Sequence, residues 1–142
     1  MGLDPIARKD FLRHVIDLLQ SQGVTVFFSS HLLYEIEPVA DHIAILDQGV
    51  IVKASKTEQL RESVRKFALT PAPGAKFSDI PGILDALKVG DSVSIALEDC
   101  DAAKKARLTE MSVNGMTETA LNLDEIFEAY VIGNRGRELA AH

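Results

Sequence analysis

The feature that most constrains the fold is an amphipathic helix that passes, through a single glycine, into a fully apolar run. Asp4 and Pro5 have the residue types of a helix cap and first helical position, and Gly23 has that of a C-terminal stop. The run 24–28 has no polar alternation, which predicts a strand buried on both faces of a helix-covered parallel sheet. Together these residues indicate the second half of a β-α-β unit, whose first strand lies before residue 1.

The pattern of the remaining sequence predicts shorter helices and strands. Gln48 and Gly49 separate two apolar runs as a two-residue hairpin turn would, and Thr57 is the predicted cap of a short helix. The spacing of apolar residues predicts a helix over 80–87 and a strand over 93–97. Residues 111–119 are compatible either with one strand or with a hairpin at Asn114-Gly115.

Charge and cysteine content exclude several classes of function. The net charge is −6, and the two halves on either side of Ser63 are both acidic, so a nucleic-acid partner is not expected. The single cysteine excludes an internal disulfide and a cysteine-based metal site, and we expect no metal site. No apolar run approaches the ~20 residues that cross a bilayer.

His31 is the first candidate for chemistry. It follows Ser29 and Ser30 at the carboxyl end of the predicted strand, which is where open α/β sheets bind ligands. An imidazole and two hydroxyls at such a position can donate hydrogen bonds to phosphate oxygens. The alternative is that His31 only helps to begin the next turn.

Five segments, taken in order, resemble the ATP-binding subunits of ABC transporters. They are Gly2-Leu3-Asp4-Pro5, the run from Val24 to His31, Glu35-Ile36-Glu37, Val39 to Leu46, and Gly49-Val50-Ile51. In that family the first segment is the D-loop and Ser-Ser-His is the H-loop. The resemblance implies that the chain begins at the D-loop and is a C-terminal portion of such a subunit. It covers about residues 2–60.

The resemblance also implies roles for single residues. His31 would contact the γ-phosphate of ATP and order the attacking water, with Ser30 beside it. Asp4 would lie at the interface between two ATP-binding subunits, although an Asp before Pro is a good helix cap in any protein. The implied cofactors of the intact subunit are ATP and Mg²⁺. The implied partners are a second such subunit, forming a homodimer, and a transmembrane permease at the inner face of the cell membrane.

The sequence contains no GxxxxGK[ST] phosphate loop, no Q-loop, no LSGGQ-type signature and no Walker B acidic pair. The phosphate loop supplies the amide cradle and lysine that hold nucleotide phosphates. One histidine cannot replace them, so we expect that this chain alone neither binds nor hydrolyses ATP.

The second part of the chain is a predicted accessory domain. Residues 122–130 resemble the terminal helix of export-type ABC ATPases, and Asn122 with Glu125 forms a capping-box pattern. We expect Phe127 and Tyr130 to take part in association, although they would serve equally well to close a small core.

The sequence therefore predicts an α/β chain in two domains. Residues 1–63 would be the C-terminal piece of a RecA-like P-loop NTPase core, and residues 64–142 a small α+β accessory domain of β-α-β-α-β-α order. A regulatory or dimerisation module is the alternative function, and a small enzyme with His31 as base is a weaker one. Because the strand at 24–28 would have open edges, we expect the chain to self-associate or to repack there.

Overall fold

The computed structural model describes residues 4–140 and divides at Asp41 and His42 into two compact units. The described helices are α1 (Pro5–Ser21), α2 (Leu33–Ile36), α3 (Thr57–Ser63), α4 (Ala102–Glu110), α5 (Leu123–Val131) and α6 (Arg137–Ala140), with a 3₁₀ turn at Phe77–Asp79. The strands are β1 (His42–Asp47), β2 (Val50–Lys56), β3 (Arg65–Pro71), β4 (Ile83–Val89), β5 (Ser92–Leu97) and β6 (Ser112–Ala120).

In the first unit, α1 has the two ends that the sequence predicts. The Asp4 carboxylate accepts a hydrogen bond from the Ala7 amide at 2.9 Å, which satisfies one of the free amides of the first turn. Gly23 lies just past the helix with a φ of 76°, a conformation that glycine adopts at little cost. An ion pair between Arg8 and Glu35 joins α1 to α2.

The strand predicted at 24–28 is wrong for this structure. Residues 24–30 have no regular secondary structure, and Phe27 is 96% exposed. A strand needs a hydrogen-bonded neighbour, and within residues 4–140 no strand pairs with this run. The expected repacking of the run is also wrong, because Val24, Phe27 and Phe28 all remain exposed. Self-association stays a prediction.

The second unit opens with a two-stranded hairpin of β1 and β2. Gln48 and Gly49 connect them with φ angles of 49° and 80°, the left-handed pair that a tight hairpin turn requires, so the predicted turn is confirmed. Helix α3 follows directly. Its N-cap is Lys56, and Thr57 is instead its first residue and is buried, which corrects the predicted cap.

A four-stranded antiparallel sheet forms the body of the second unit, in the order β4-β5-β3-β6. One face carries buried apolar side chains and is covered by α4 through Leu108, which has no solvent exposure. The residues packed at this core face are Phe67, Leu69, Ala86, Val93, Ile95 and Leu97 on the strands, with Phe77 and Ile80. Alternation along β3 and β5 therefore sends every second side chain to the opposite face.

The helix predicted at 80–87 is wrong. Phe77–Asp79 forms a single 3₁₀ turn, and the apolar residues that follow belong to β4. Gly82, with a φ of 90°, immediately precedes β4, and antiparallel pairing with β5 outweighs the helical spacing of four apolar residues. The predicted β-α-β-α-β-α order is corrected accordingly, because β3, β4 and β5 follow one another with no α-helix between them.

Residues 111–119 were compatible with one strand or with a hairpin, and from residue 112 they lie in one strand that contains a bulge. Met116 pairs with Leu69 and Val113 pairs with Thr70, so Asn114 and Gly115 are extra residues that bulge out of β6. Their φ angles of 64° and 84° explain why the sequence has a turn-forming dipeptide here without a turn.

The α/β class is confirmed, with both described sheets antiparallel. The division into domains at residues 63 and 64 stays a prediction. All four strands of the larger sheet lie in the predicted accessory domain, from Arg65 to Ala120. Among the described helices, none combines the length and the apolar character needed to cross a membrane.

Candidate functional site

His31 lies on the surface of the first unit, at the end of the run 24–30 and just before α2. Its side chain is exposed. The neighbouring Ser30 is half-buried, and its hydroxyl accepts a hydrogen bond from the Leu32 amide at 2.9 Å. This bond fixes the backbone immediately after His31, so the imidazole is presented from a locally held turn. The hydroxyl proton of Ser30 stays available for a further acceptor.

Asp4 lies at the opposite end of α1 from Gly23 and is exposed. One oxygen of its carboxylate caps the helix, which confirms the cap; a role at a subunit interface stays a prediction. Gly2 and Leu3 of the predicted D-loop lie outside the described residues. Within residues 4–140, no hydrogen bond or ion pair joins Asp4 to Ser30 or His31.

These residues do not amount to a complete site for ATP and Mg²⁺. The described part of the chain holds no group of three or more histidine, cysteine or acidic side chains that could bind a metal ion together. His31 and Ser30 offer one imidazole and one hydroxyl, which suit a single phosphate oxygen. They provide neither a cradle of amides nor a lysine, so no step of hydrolysis follows from these residues alone.

Tyr130 belongs to the core of the second unit. It is 4% exposed, and its hydroxyl donates a hydrogen bond to the Glu98 carboxylate at 2.7 Å. Burial, and then the carboxylate beside it, raise the pKa of the Tyr130 hydroxyl far above its usual value. The side chain therefore joins α5 to the end of β5, and it has little surface to offer to another protein.

Phe127 is partly buried on the same helix, and the predicted capping box of Asn122 and Glu125 is confirmed. The association role of Phe127 and Tyr130 stays a prediction, with Phe127 the more exposed of the two.

A polar groove lies between β2, α3 and the loop after β5, and the sequence did not indicate it. It contains an ion pair between Lys53 and Asp99 at 3.6 Å, and Cys100 lies beside them. Burial raises the pKa of the Cys100 thiol; the Lys105 charge lowers it and the Glu118 and Asp101 charges raise it, so the protonated thiol is favoured at neutral pH. Asp99 has a left-handed backbone conformation, with a φ of 48°, which the spacing of residues in the sequence does not indicate.

No protein-family model matches the chain. Curated proteins do match it. The bacitracin transport ATP-binding protein BcrA of Bacillus licheniformis is 36% identical over 66 residues, which are 46% of this chain and 22% of BcrA. The lantibiotic transport ATP-binding protein SrtF of Streptococcus pyogenes is 43% identical over 51 residues, 36% of this chain and 22% of SrtF.

A longer match extends over nearly the whole sequence. The ABC transporter ATP-binding protein YtrB of Bacillus subtilis is 25% identical over 138 residues, which are 94% of this chain and 46% of YtrB. The chain is homologous to ABC-transporter ATP-binding proteins. This confirms the resemblance drawn from the D-loop and H-loop segments. The segment that matches this chain covers less than half the length of each of these relatives.

Proposed function

We propose that this chain is the C-terminal portion of an ABC-transporter ATPase subunit, which couples ATP binding and hydrolysis to transport across a membrane. The observation that carries the proposal is the match to YtrB along 94% of the chain, together with an exposed His31 that follows the half-buried Ser30 on a held turn. A subunit of this class closes on ATP and reopens after hydrolysis, and this chain would contribute part of the closing surface.

His31 is the proposed γ-phosphate contact. Its exposed imidazole is free to meet a phosphate held by another part of the protein, and the Ser30 hydroxyl would bond a neighbouring oxygen. A positioned donor of this kind stabilises the charge that develops on the transferred phosphoryl group. Asp4, exposed at the start of α1, is the proposed contact with a second ATP-binding subunit in a homodimer.

The remaining partners follow from the class of protein. We propose a transmembrane permease as the membrane partner, with this subunit at the cytoplasmic side, and export as the direction of transport. Export is supported by the resemblance of residues 122–130 to the terminal helix of export-type ATPases and by relatives named for transport of bacitracin and lantibiotics. ATP and Mg²⁺ would bind the intact subunit, mainly through residues outside this chain.

A chimera tests the proposal. The segment of YtrB that matches this chain is replaced by the chain, and Mg-ATP hydrolysis is compared with that of intact YtrB. We expect hydrolysis within about tenfold of the parent, since the exchanged segments would have the same role. A folded chimera that binds ATP as the parent does but never hydrolyses it would contradict the proposal. Circular dichroism and a melting curve establish whether it is folded.

The chain alone is tested by calorimetric titration with Mg-ATP. Without a phosphate cradle we expect no detectable heat at about millimolar nucleotide, where a Kd below 1 mM would be visible. Binding in the micromolar range would show a phosphate site in this chain and would overturn the expectation of inactivity.

A regulatory or dimerisation module is the second candidate. The observation that favours it is the second unit itself, which has its own four-stranded sheet and buried core within residues 42–140. It predicts self-association that does not change when ATP is added.

A further inference from the structure

The turn that carries His31 leads directly into α2, a helix too short to hold its own position. α2 has only four residues, Leu33–Ile36, and its N-cap Leu32 makes no side-chain capping hydrogen bond. A single helical turn forms few hydrogen bonds for the backbone freedom that it loses, so it is marginal by itself. The position of α2, and with it that of His31, therefore depends on contacts with a longer element.

Helix α1 is a longer element of the same unit, with 17 residues and a cap at its start. The Arg8 guanidinium, near the start of α1, forms an ion pair with the Glu35 carboxylate of α2. Near the end of α1, the Gln20 carboxamide donates a hydrogen bond to the Asp41 carboxylate at 3.3 Å. Helix α1 therefore holds the segment after His31 at two places, of which the ion pair is close to His31 in sequence and the Gln20 contact is distant.

A line of hydrogen bonds leads from the ion pair back to the turn of His31. The Glu35 amide donates to the Leu32 carbonyl at 3.0 Å. The Leu32 amide in turn donates to the Ser30 hydroxyl at 2.9 Å. A displacement of Glu35 therefore reaches both residues that flank His31 in the chain.

The two charges of the ion pair differ in their exposure to water. The Glu35 side chain is 16% exposed, whereas the Arg8 side chain is 43% exposed. A carboxylate that is mostly withdrawn from water needs a counter-charge, and its desolvation is uncompensated when that charge is removed. Without Arg8, Glu35 would gain by turning toward solvent, and the turn of His31 would loosen with it.

We propose that the Arg8–Glu35 ion pair positions His31, by holding the imidazole where it meets the γ-phosphate during hydrolysis. This role rests on the proposed ATPase function. Arg8 and Glu35 are positioning residues, since both act through the location of the imidazole. A displacement of about 1 Å can cost on the order of 100-fold in rate, so a loosened turn lowers the rate of hydrolysis. The affinity for ATP stays nearly the same, because the nucleotide would be held mainly by residues outside this chain.

The YtrB chimera that carries this chain tests the role in catalysis. Arg8→Ala should lower kcat for Mg-ATP hydrolysis about tenfold and change KM less than about twofold. Arg13→Ala is the matched control, because it removes another exposed arginine of α1, and it should leave kcat within about twofold. Gln20→Ala, which removes the contact with Asp41, should also leave kcat within about twofold.

A double-mutant cycle shows whether the ion pair acts through His31. In a chimera that already has His31→Ala, Arg8→Ala should lower the rate by less than about twofold more, because no imidazole remains to be positioned. A purely structural role would lower the rate equally in both backgrounds. The charge swap of Arg8→Glu with Glu35→Arg should restore kcat to within about threefold of the parent, whereas Arg8→Glu alone should not.

Hydrogen exchange of the full chain, followed by NMR, tests the structural link without nucleotide. Arg8→Ala should speed exchange of the Leu32 and Glu35 amides at least about tenfold, because their acceptors are held less firmly. The Val24 amide, which donates to a carbonyl at the far end of α1, should exchange at an unchanged rate. A melting curve for each variant separates this local loosening from loss of folding.

The outcomes separate this role from the proposed function. An active chimera in which Arg8→Ala and Arg13→Ala have the same kcat would overturn the positioning role alone. Unchanged exchange of the Leu32 amide in Arg8→Ala would do the same, as would a rate loss of equal size with and without His31. A chimera of unchanged sequence that binds ATP and never hydrolyses it would contradict the proposed function, and this role with it.

Discussion

The side chain of Asn134 pairs with the backbone of Ala86 as a neighbouring strand would. Its carboxamide nitrogen donates to the Ala86 carbonyl at 2.6 Å, and its carboxamide oxygen accepts from the Ala86 amide at 3.1 Å. Ala86 is buried on β4, which is an edge strand of the sheet. One side chain therefore satisfies both the backbone amide and the backbone carbonyl of the buried Ala86 on that edge.

Asn134→Ala should destabilise the second unit by about 2–3 kcal/mol, because it leaves a buried amide and a buried carbonyl without partners. Chemical denaturation measures the change. Asn134→Asp is the informative companion, since its carboxylate keeps an acceptor for the Ala86 amide but sets a negative charge against the Ala86 carbonyl and close to Asp85, and its cost should be no smaller than that of the alanine variant. A loss below about 0.5 kcal/mol for Asn134→Ala would show that water replaces the side chain.

Gly133 follows α5 and lies close to the backbone of β4. A Cβ at this position would overlap the carbonyl oxygens of Leu84 and Ala129. We expect Gly133→Ala to cost more than about 2 kcal/mol, since neither carbonyl can move without disturbing a strand or a helix. Gly74→Ala is the control: its φ of 81° is left-handed but the space around it is open, so it should cost only about 1 kcal/mol. Equal costs would mean that close approach is unimportant.

The Tyr130–Glu98 hydrogen bond predicts a dependence of stability on alkaline pH. The pKa of Tyr130 is raised in the folded protein, so the unfolded chain loses the phenolic proton first, at about pH 10. This stabilising contribution is complete below that pH and is lost as the pH rises above it.

Tyr130→Phe should therefore remove part of the alkaline fall in the free energy of unfolding, and should cost about 1–2 kcal/mol near pH 7. Denaturation curves from about pH 8 to about pH 11 compare the two proteins. Parallel curves over the whole range would contradict the raised pKa.

Glu118 on β6 is bonded to Lys105 of α4 at 2.8 Å and lies 3.4 Å from Arg65. The hydrogen bond from Lys105 is the main cause that lowers the pKa of the Glu118 carboxyl, and both positive charges add to it. Carboxylate titration by NMR should show a midpoint below that of a free glutamate, and Lys105→Ala should move it upward. Lys66→Ala, a lysine on the opposite face, should leave the midpoint unchanged. An unchanged midpoint in Lys105→Ala would contradict this assignment.

How much of the fold could be predicted depends on whether the signal is local. The caps at Asp4 and Asn122 and the Gln48-Gly49 turn were correct because each depends on residues within a few positions of one another. The helix predicted at 80–87 was wrong because pairing with β5, which is distant in sequence, outweighs the local spacing. The strand predicted at 24–28 needs a neighbour that residues 4–140 do not supply.

The candidate site shows the same division. His31 and Ser30 could be selected because strand ends favour ligands and because the segments around them resemble a family. The pairing of Asn134 with Ala86 and of Tyr130 with Glu98 joins residues 48 and 32 positions apart, which a single sequence does not connect. The placement of Leu87 and Ala68 on one face of the sheet is likewise a property of register, since only the pairing of both strands with β5 shows it.

The central claim is that His31 belongs to the ATP site of an ABC subunit, and the YtrB chimera measures this most directly. His31→Ala should lower the rate of Mg-ATP hydrolysis about 100-fold with ATP binding nearly unchanged, as expected for a donor that acts on developing charge. His14→Ala, which removes another exposed histidine of the same unit, should leave the rate within about twofold. A His31→Ala chimera as active as the His14→Ala chimera would contradict the assignment.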